Sequence, residues 1–157
     1  SAPGVADVAD ICAALARVRE PRELPPLLER VGGALDATGL IIWMPDGPNG
    51  SLRPVLAHGY QPLAITRMGT IPTDADNATA LAYRTRSQHM VPAEQGSHAA
   101  IVSPLVTAEG CSGVMAIELG QGVEASDHRR ALAAIVSAQL ATLISPAAEG
   151  GTAAARG

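Results

Sequence analysis

The sequence predicts an α+β fold: a central antiparallel sheet of five to six strands with helices on both faces. Three observations carry this. Two stretches, Leu40–Gly59 and Ala100–Leu119, read as β-hairpins, and hairpins make antiparallel pairs. Apolar residues at helical spacing precede the first hairpin and follow the second. The first strand is apolar on both faces, so it needs cover on both sides.

Val5 to Arg19 reads as a leading helix. Val8, Ile11, Leu15 and Val18 fall three and four apart, a narrow stripe on an Ala-rich segment that Pro21 stops. The stripe suits packing on its own domain, or a seam against a second copy of the chain. A second helix opens around Pro25-Pro26, with Leu27, Leu28, Val31 and Leu35 as its apolar face. Gly32 and Gly33 weaken it and ask for something packed closely there. Gly39 reads as its terminator.

The period then changes. On the first strand Leu40, Ile42 and Met44 share one face, and Ile41 and Trp43 the other. Asp46 to Gly50 makes the turn, and Pro54 marks the second strand as an edge or a bulge. Gln61–Met68 is a short helix and Gly69–Thr73 is extended. A helix capped by Asp76 or Asn77 then carries Ala78, Leu81, Ala82 and Thr85, ends near Ser87, and leads into a short strand in "QHMVPA". The second hairpin pairs Ala100–Thr107 with Gly113–Leu119. The last helix starts at Ser126 or Asp127, repeats Leu132, Ile135, Val136, Leu140, Leu143 and Ile144, and stops at Ser145-Pro146. These elements divide the chain into a leading helix (1–23), a domain (24–145) and a small-residue tail (146–157) expected to be disordered.

Composition narrows the function. With 157 residues the chain can build one core without disulfides or metal. The two cysteines, Cys12 and Cys111, read as free thiols. Aromatics are 2% with no Phe, and net charge is −4, which removes both the stacking platform and the basic footprint of a nucleic-acid binder. No apolar run reaches the length of a membrane span and no signal peptide is evident, so the expectation is a cytoplasmic protein. The chain begins Ser1-Ala2-Pro3 without Met, and it is expected to be part of a longer polypeptide.

Asn77-Ala78-Thr79 matches a glycosylation acceptor, but nothing else points to secretion, and a helix cap accounts for Asn77. His58, His89, His98 and His128 lie far apart without metal-ligand spacing, and no phosphate-binding or dinucleotide-binding glycine loop is present. Arg84 to Arg86 is a small basic patch suited to a solvated helix end.

Three pieces, in this order and spacing, resemble a GAF domain, a sensory module related to PAS domains. They are "GLIIWMPDGPNGSLRPVLAHGY", "ALAYRTRSQHMV" and "IVSPLVTAEGCSGVMAIEL". The resemblance covers roughly Leu24 to Ile144. It implies a ligand pocket on one sheet face, roofed by about Tyr60 to Gly96 and floored by the first strand and Ile101 to Leu105. The candidate ligand-binding residues are then Trp43, Asn77, Thr79, Tyr83, His89 and Ser103. Trp43, the only tryptophan, also reads as core. A haem on His89 or His98 is the weaker use of that roof.

The chain departs from liganded relatives. It has no Phe and no Lys, so the cyclic-nucleotide pattern fails. No Cys stands in the roof, so covalent bilin attachment is not expected, and the two cysteines are not placed like those of relatives that reduce methionine sulfoxide. No cofactor is expected and the chain is not expected to be an enzyme. The resemblance implies a regulatory sensor of a larger signalling or transcription-regulatory protein. Such a sensor would bind a small molecule and pass the effect through its terminal helices to an output domain. A homodimer through Val8, Ile11, Leu15, Val18 and Leu140 is the expected assembly. The alternative is a ligand-free dimerisation or protein-interaction module.

Overall fold

The computed structural model describes residues 4–48 and 50–144. Helix α1 (Val5–Ala16) and a 3₁₀ turn at Pro21–Glu23 lead into α2 (Leu24–Leu35). Strands β1 (Ala37–Pro45) and β2 (Leu52–His58) follow, then α3 (Pro62–Met68), α4 (Ala78–Thr85) and β3 (His89–Val91). Strands β4 (Ala100–Thr107) and β5 (Gly110–Leu119) and helix α5 (Asp127–Leu143) complete the domain. The five strands form one antiparallel sheet in the order β2-β1-β5-β4-β3. The fold class read from the sequence is therefore the observed one, with five strands.

Pairing register decides which residues share a face. Leu40, Ile42, Ile101, Leu105, Met115, Ile117 and Leu119 point to one side, where they meet α1, α2 and α5 in the main core. Ile41, Trp43, Val102, Val114 and Ala116 point to the other, beneath α3 and α4. Alternate residues of β5 thus serve both layers, as a pleated strand requires. Pro54 has both of its predicted roles: β2 is an edge strand, and the β1–β2 register slips between Ile42 and Trp43, opposite Pro54.

Several boundaries differ from the sequence reading, and β1 begins at Ala37 rather than Leu40. Helix α1 stops at Ala16 rather than Arg19. Helix α2 ends on Asp36, a left-handed residue at φ 55°, and not on Gly39. Asp tolerates this conformation at a helix end, so no glycine is needed. Gly39 instead lies inside β1, where a Cβ would stand 2.5 Å from the Tyr60 ring. The second hairpin is tighter than predicted, with β5 starting at Gly110, whose φ of 131° only glycine adopts easily. The predicted stop at Ser145-Pro146 and the 146–157 tail lie outside the described residues.

The stripe on α1 is spent inside the domain. Ile11, Leu15 and Leu140 are buried in the core with α2 and α5, and Val8 and Val18 pack against it. Ile11, Leu15 and Leu140, fully buried at home, are not available to a second copy, so the predicted seam is corrected at those three positions, while Val8 and Val18 are half-buried. Gln139 on α5 adds a hydrogen bond from Nε2 to the Cys12 carbonyl, 3.1 Å. The outer face of α1 is instead Ala6, Ala9, Ala13 and Ala16.

One buried cation ties the helical layer together. Arg129, 8% exposed, donates to the Leu35 carbonyl (3.1 Å), the Glu124 carbonyl (3.3 Å) and the Asp36 carboxylate (2.6 Å). The Asp36 carbonyl accepts from Gly120 N–H at 2.8 Å. The ends of α2 and β5 and the start of α5 are therefore pinned at one corner. The Arg129 hydrogen bond holds the Asp36 carboxyl below its ordinary range.

Candidate functional site

The roof is built from two helices of unequal quality. Helix α4 has a proper start: Asn77 Oδ1 accepts from Ala80 N–H at 2.9 Å. It ends on left-handed Arg86, φ 58°. Ala80 and Ala82 are fully buried, so small side chains bring the helix backbone close to the sheet. Arg84 Nη1 donates to the carbonyls of Thr73 (2.7 Å) and Ala75 (2.9 Å), which fastens the loop before α4. Helix α3 buries no residue completely and leaves Leu63 59% and Met68 38% exposed. It stands between Gly59 and Gly69, both at positive φ. A Cβ on Gly59 would lie 2.2 Å from the Thr38 carbonyl oxygen, so β1 and the start of the roof meet backbone to backbone.

Beneath the roof, Ile41, Trp43 and Leu52 are buried, with Tyr60, Ile65, Ile71, Tyr83 and Ala116 packed against them. Tyr83 also touches the neighbouring cluster of Ala82, Val102 and Val114. Polar atoms here include the hydroxyls of Tyr60 and Tyr83, with the thiol of Cys111 close to Tyr83. Burial raises the pKa of all three; Glu118 adds to the effect at Tyr60 and Cys111 adds to it at Tyr83. They therefore stay protonated at neutral pH and act as neutral hydrogen-bonding groups in a mainly apolar layer.

The six candidate residues separate on this geometry. Trp43 and Tyr83 come together in the roof–sheet layer. Thr79 is half-buried in the first turn of α4. Asn77 is exposed, its side-chain oxygen committed to its own helix. His89 lies beyond the other end of α4, in a network with Thr85 and Ser87. Thr85 Oγ1 donates to the Leu81 carbonyl (2.8 Å), so at the 3.0 Å contact His89 Nε2 is the donor. Ser103 is on the opposite face of the sheet. It is 1% exposed, toward α5, and Gln88 Nε2 reaches both Ser103 Oγ (3.4 Å) and the Arg130 carbonyl (2.9 Å). The β4 residues toward the roof are Val102 and Pro104, not the Ile101–Ser103–Leu105 set, because Val102 pairs with Ala116 and Ser103 with Met115. His98 is held elsewhere, Nδ1 donating to the Leu119 carbonyl at 2.8 Å.

Sequence reasoning missed two residues. Tyr60 closes the roof by packing on Gly39, and only the tertiary pairing could reveal it. Arg129 carried a signal: it sits three residues before Leu132 and four before Ala133, on the apolar stripe of α5. Among the described residues no group of three or more His, Cys, Asp or Glu could hold a metal ion, and no helix is long and apolar enough to cross a membrane.

The domain is thus one five-stranded antiparallel sheet with a deeply packed helical face and a thinly roofed second face. The sequence model of the GAF domain matches residues 25–145, and the chain belongs to that family. The GAF domain of an Acinetobacter phosphoenolpyruvate-protein phosphotransferase is similar in structure, with TM-score 0.78 and 13% identity over 94% of this chain and 96% of that one. The second GAF domain of DevS from Mycobacterium smegmatis has TM-score 0.62 and 19% identity over 87% and 91%. A free methionine-R-sulfoxide reductase from Neisseria meningitidis, solved with its substrate, has TM-score 0.66 and 16% identity over 87% of each chain. At these identities the likeness shows the fold. No curated protein sequence matches the chain. GAF domains serve as sensory and regulatory modules.

Proposed function

We propose that the domain is the regulatory sensor of a larger cytoplasmic signalling or transcription-regulatory protein, and that it binds a small molecule between the sheet and the α3–α4 roof. It is not an enzyme in this reading, and it uses no cofactor. The observation that carries the reading is the shared strand. Val114 and Ala116 of β5 touch the roof layer, while Met115 and Ile117 touch the helical core that includes α1 and α5. A shift under the roof therefore acts on the terminal helices through one pleat, and the Arg129–Asp36 corner holds α5 to that sheet. The largely apolar lining favours an uncharged ligand, because burying an ion costs its hydration. The output domain would continue from one of the terminal helices.

Trp43, 5% exposed and the only tryptophan, is the natural reporter. Native mass spectrometry should find a retained small molecule, or a metabolite screen should find one that raises the melting temperature and moves Trp43 emission. No retained species, no thermal shift and unchanged emission across the screen would defeat the sensor reading.

A second reading, a ligand-free dimerisation module, is favoured by the packing of the protein's own Trp43, Tyr60 and Tyr83 side chains in the roof layer. A homodimer in either reading would use the outer Ala faces of α1 and α5, where Ile135 is 44% exposed, and not the buried stripe. Ile135→Asp should then lower the mass seen by light scattering at unchanged melting temperature.

A further inference from the structure

A cleft of about 470 Å³ opens on the other side of the sheet from the roof, between the β3 edge, the loop after β5 and the first turn of α5. Its walls include Met90, Ala93, Ala99, Val123 and Ala125, with Arg130 at one side. Met90 pairs with Ile101, so it belongs to the helical face, and the cleft is separate from the Trp43–Tyr83 layer. The volume is that of an ordinary small-molecule site.

The charges select the ligand. Arg130 Nη2 is already paired with Asp127, and the exposed Glu124 adds a carboxylate at the rim. The local field is therefore neutral to negative, which disfavours an anion. Arg130 Nε is buried and has no acceptor among the described residues. The Arg130 side chain as a whole is 39% exposed and lines the cleft, so its outer guanidinium N–H groups can donate to an acceptor held there. The main chain of Arg130 is fixed, its carbonyl accepting from Gln88. We propose that this cleft binds a neutral, largely apolar small molecule carrying one hydrogen-bond acceptor, which Arg130 engages. Such a ligand would bridge the β3 edge to α5, independently of whatever the roof binds.

The test uses one phenylpropyl body with four ends: methyl ketone, methyl ester, primary amide and carboxylate. Each is titrated into the whole chain carrying ¹³C-methyl-labelled Met, Ala and Val. The neutral probes should move the Met90, Ala99, Val123 and Ala125 methyl signals saturably in the millimolar range, with the carboxylate at least about tenfold weaker. Arg130→Met should weaken the neutral probes about threefold to tenfold, the worth of one hydrogen bond. Ala93→Trp, a change at an exposed position, should abolish the shifts while the melting temperature holds. Absence of saturable shifts with every neutral probe, equal or tighter binding of the carboxylate, or shifts confined to Ala82 and Val102 would each overturn the proposal. Trp43 emission reads the roof separately, so failure here leaves the roof reading standing, and the reverse.

Discussion

The two faces of the sheet are built to different standards. On the helical face, Leu15, Leu24, Leu28, Leu35, Leu40, Ile42, Met115 and Ile117 are each essentially inaccessible, and a buried Arg129 joins three elements at one corner. On the roof face the fully buried helix residues are alanines, and α3 contributes none. Large aliphatics that bury fully contribute about 1.5–3 kcal/mol each, and Ala much less. The comparison teaches where stability and adaptability sit: the helical face holds the fold, and the roof can move at modest cost. That is the division a sensor needs, since segments that respond to ligands come from the less stable part of a domain.

The largest effect should come from a charge placed in the helical face. Leu15→Asp buries a carboxylate with no partner, which costs several kcal/mol or more against a whole-domain stability of about 5–15. Circular dichroism should show loss of the folded state. A folded, monomeric Leu15→Asp would mean that the α1 stripe serves an interface after all.

Arg129→Met comes next. It removes the donor to the buried Leu35 carbonyl, while the Glu124 carbonyl keeps the Ser126 N–H, and the expected loss is about 1–3 kcal/mol by urea denaturation. Little of this comes from the ion pair itself, because the Asp36 side chain is 44% exposed and solvent screens it. The pair leaves a mark in acid. Its Asp36 pKa is lowered, so its contribution is complete above the unfolded value of about 4 and is lost as pH falls through the lower folded value. The difference between wild type and Asp36→Asn should therefore narrow below about pH 4.

Gly39→Ala tests the roof contact. The new methyl meets the Tyr60 ring, and overpacking of this kind costs about 1–3 kcal/mol. Combined with Tyr60→Ala, the penalty of Gly39→Ala should largely disappear, a coupling that a double-mutant cycle measures directly. Additive losses would place Tyr60 elsewhere. The smallest effect is Leu63→Asp on α3. The same chemical change that unfolds the protein at position 15 should here stay within about 0.5 kcal/mol, because Leu63 is exposed.

Much of this difference was legible in the sequence, and its limits are physical. The apolar stripes named the buried faces of α2 and α5, and Ser126 and Asn77 capped their helices as their side-chain chemistry predicts. The alternation on β1 showed that both faces needed cover. It could not say which face met the roof, because Leu40/Ile42 and Ile41/Trp43 are equally apolar, and only pairing with β5 resolves the choice. The same ambiguity on β4 put Ser103 in the candidate site, when one residue of register separates it from Val102. Asp36 was hidden because Gly39 is the stronger helix-stop signal. The α1 stripe has the same spacing whether it meets its own domain or a second chain, and two heptads carry no information about that choice.

Native-state hydrogen exchange measures the central difference most directly. Amides of α3 and of residues 69–77 should exchange through local opening at low free energy. Those of α2, β1, β5 and the middle of α5 should exchange only with global unfolding. Exchange of α3 as slow as that of α2, or of α2 and α5 as fast as that of α3, would contradict the assignment of one face to stability and the other to response.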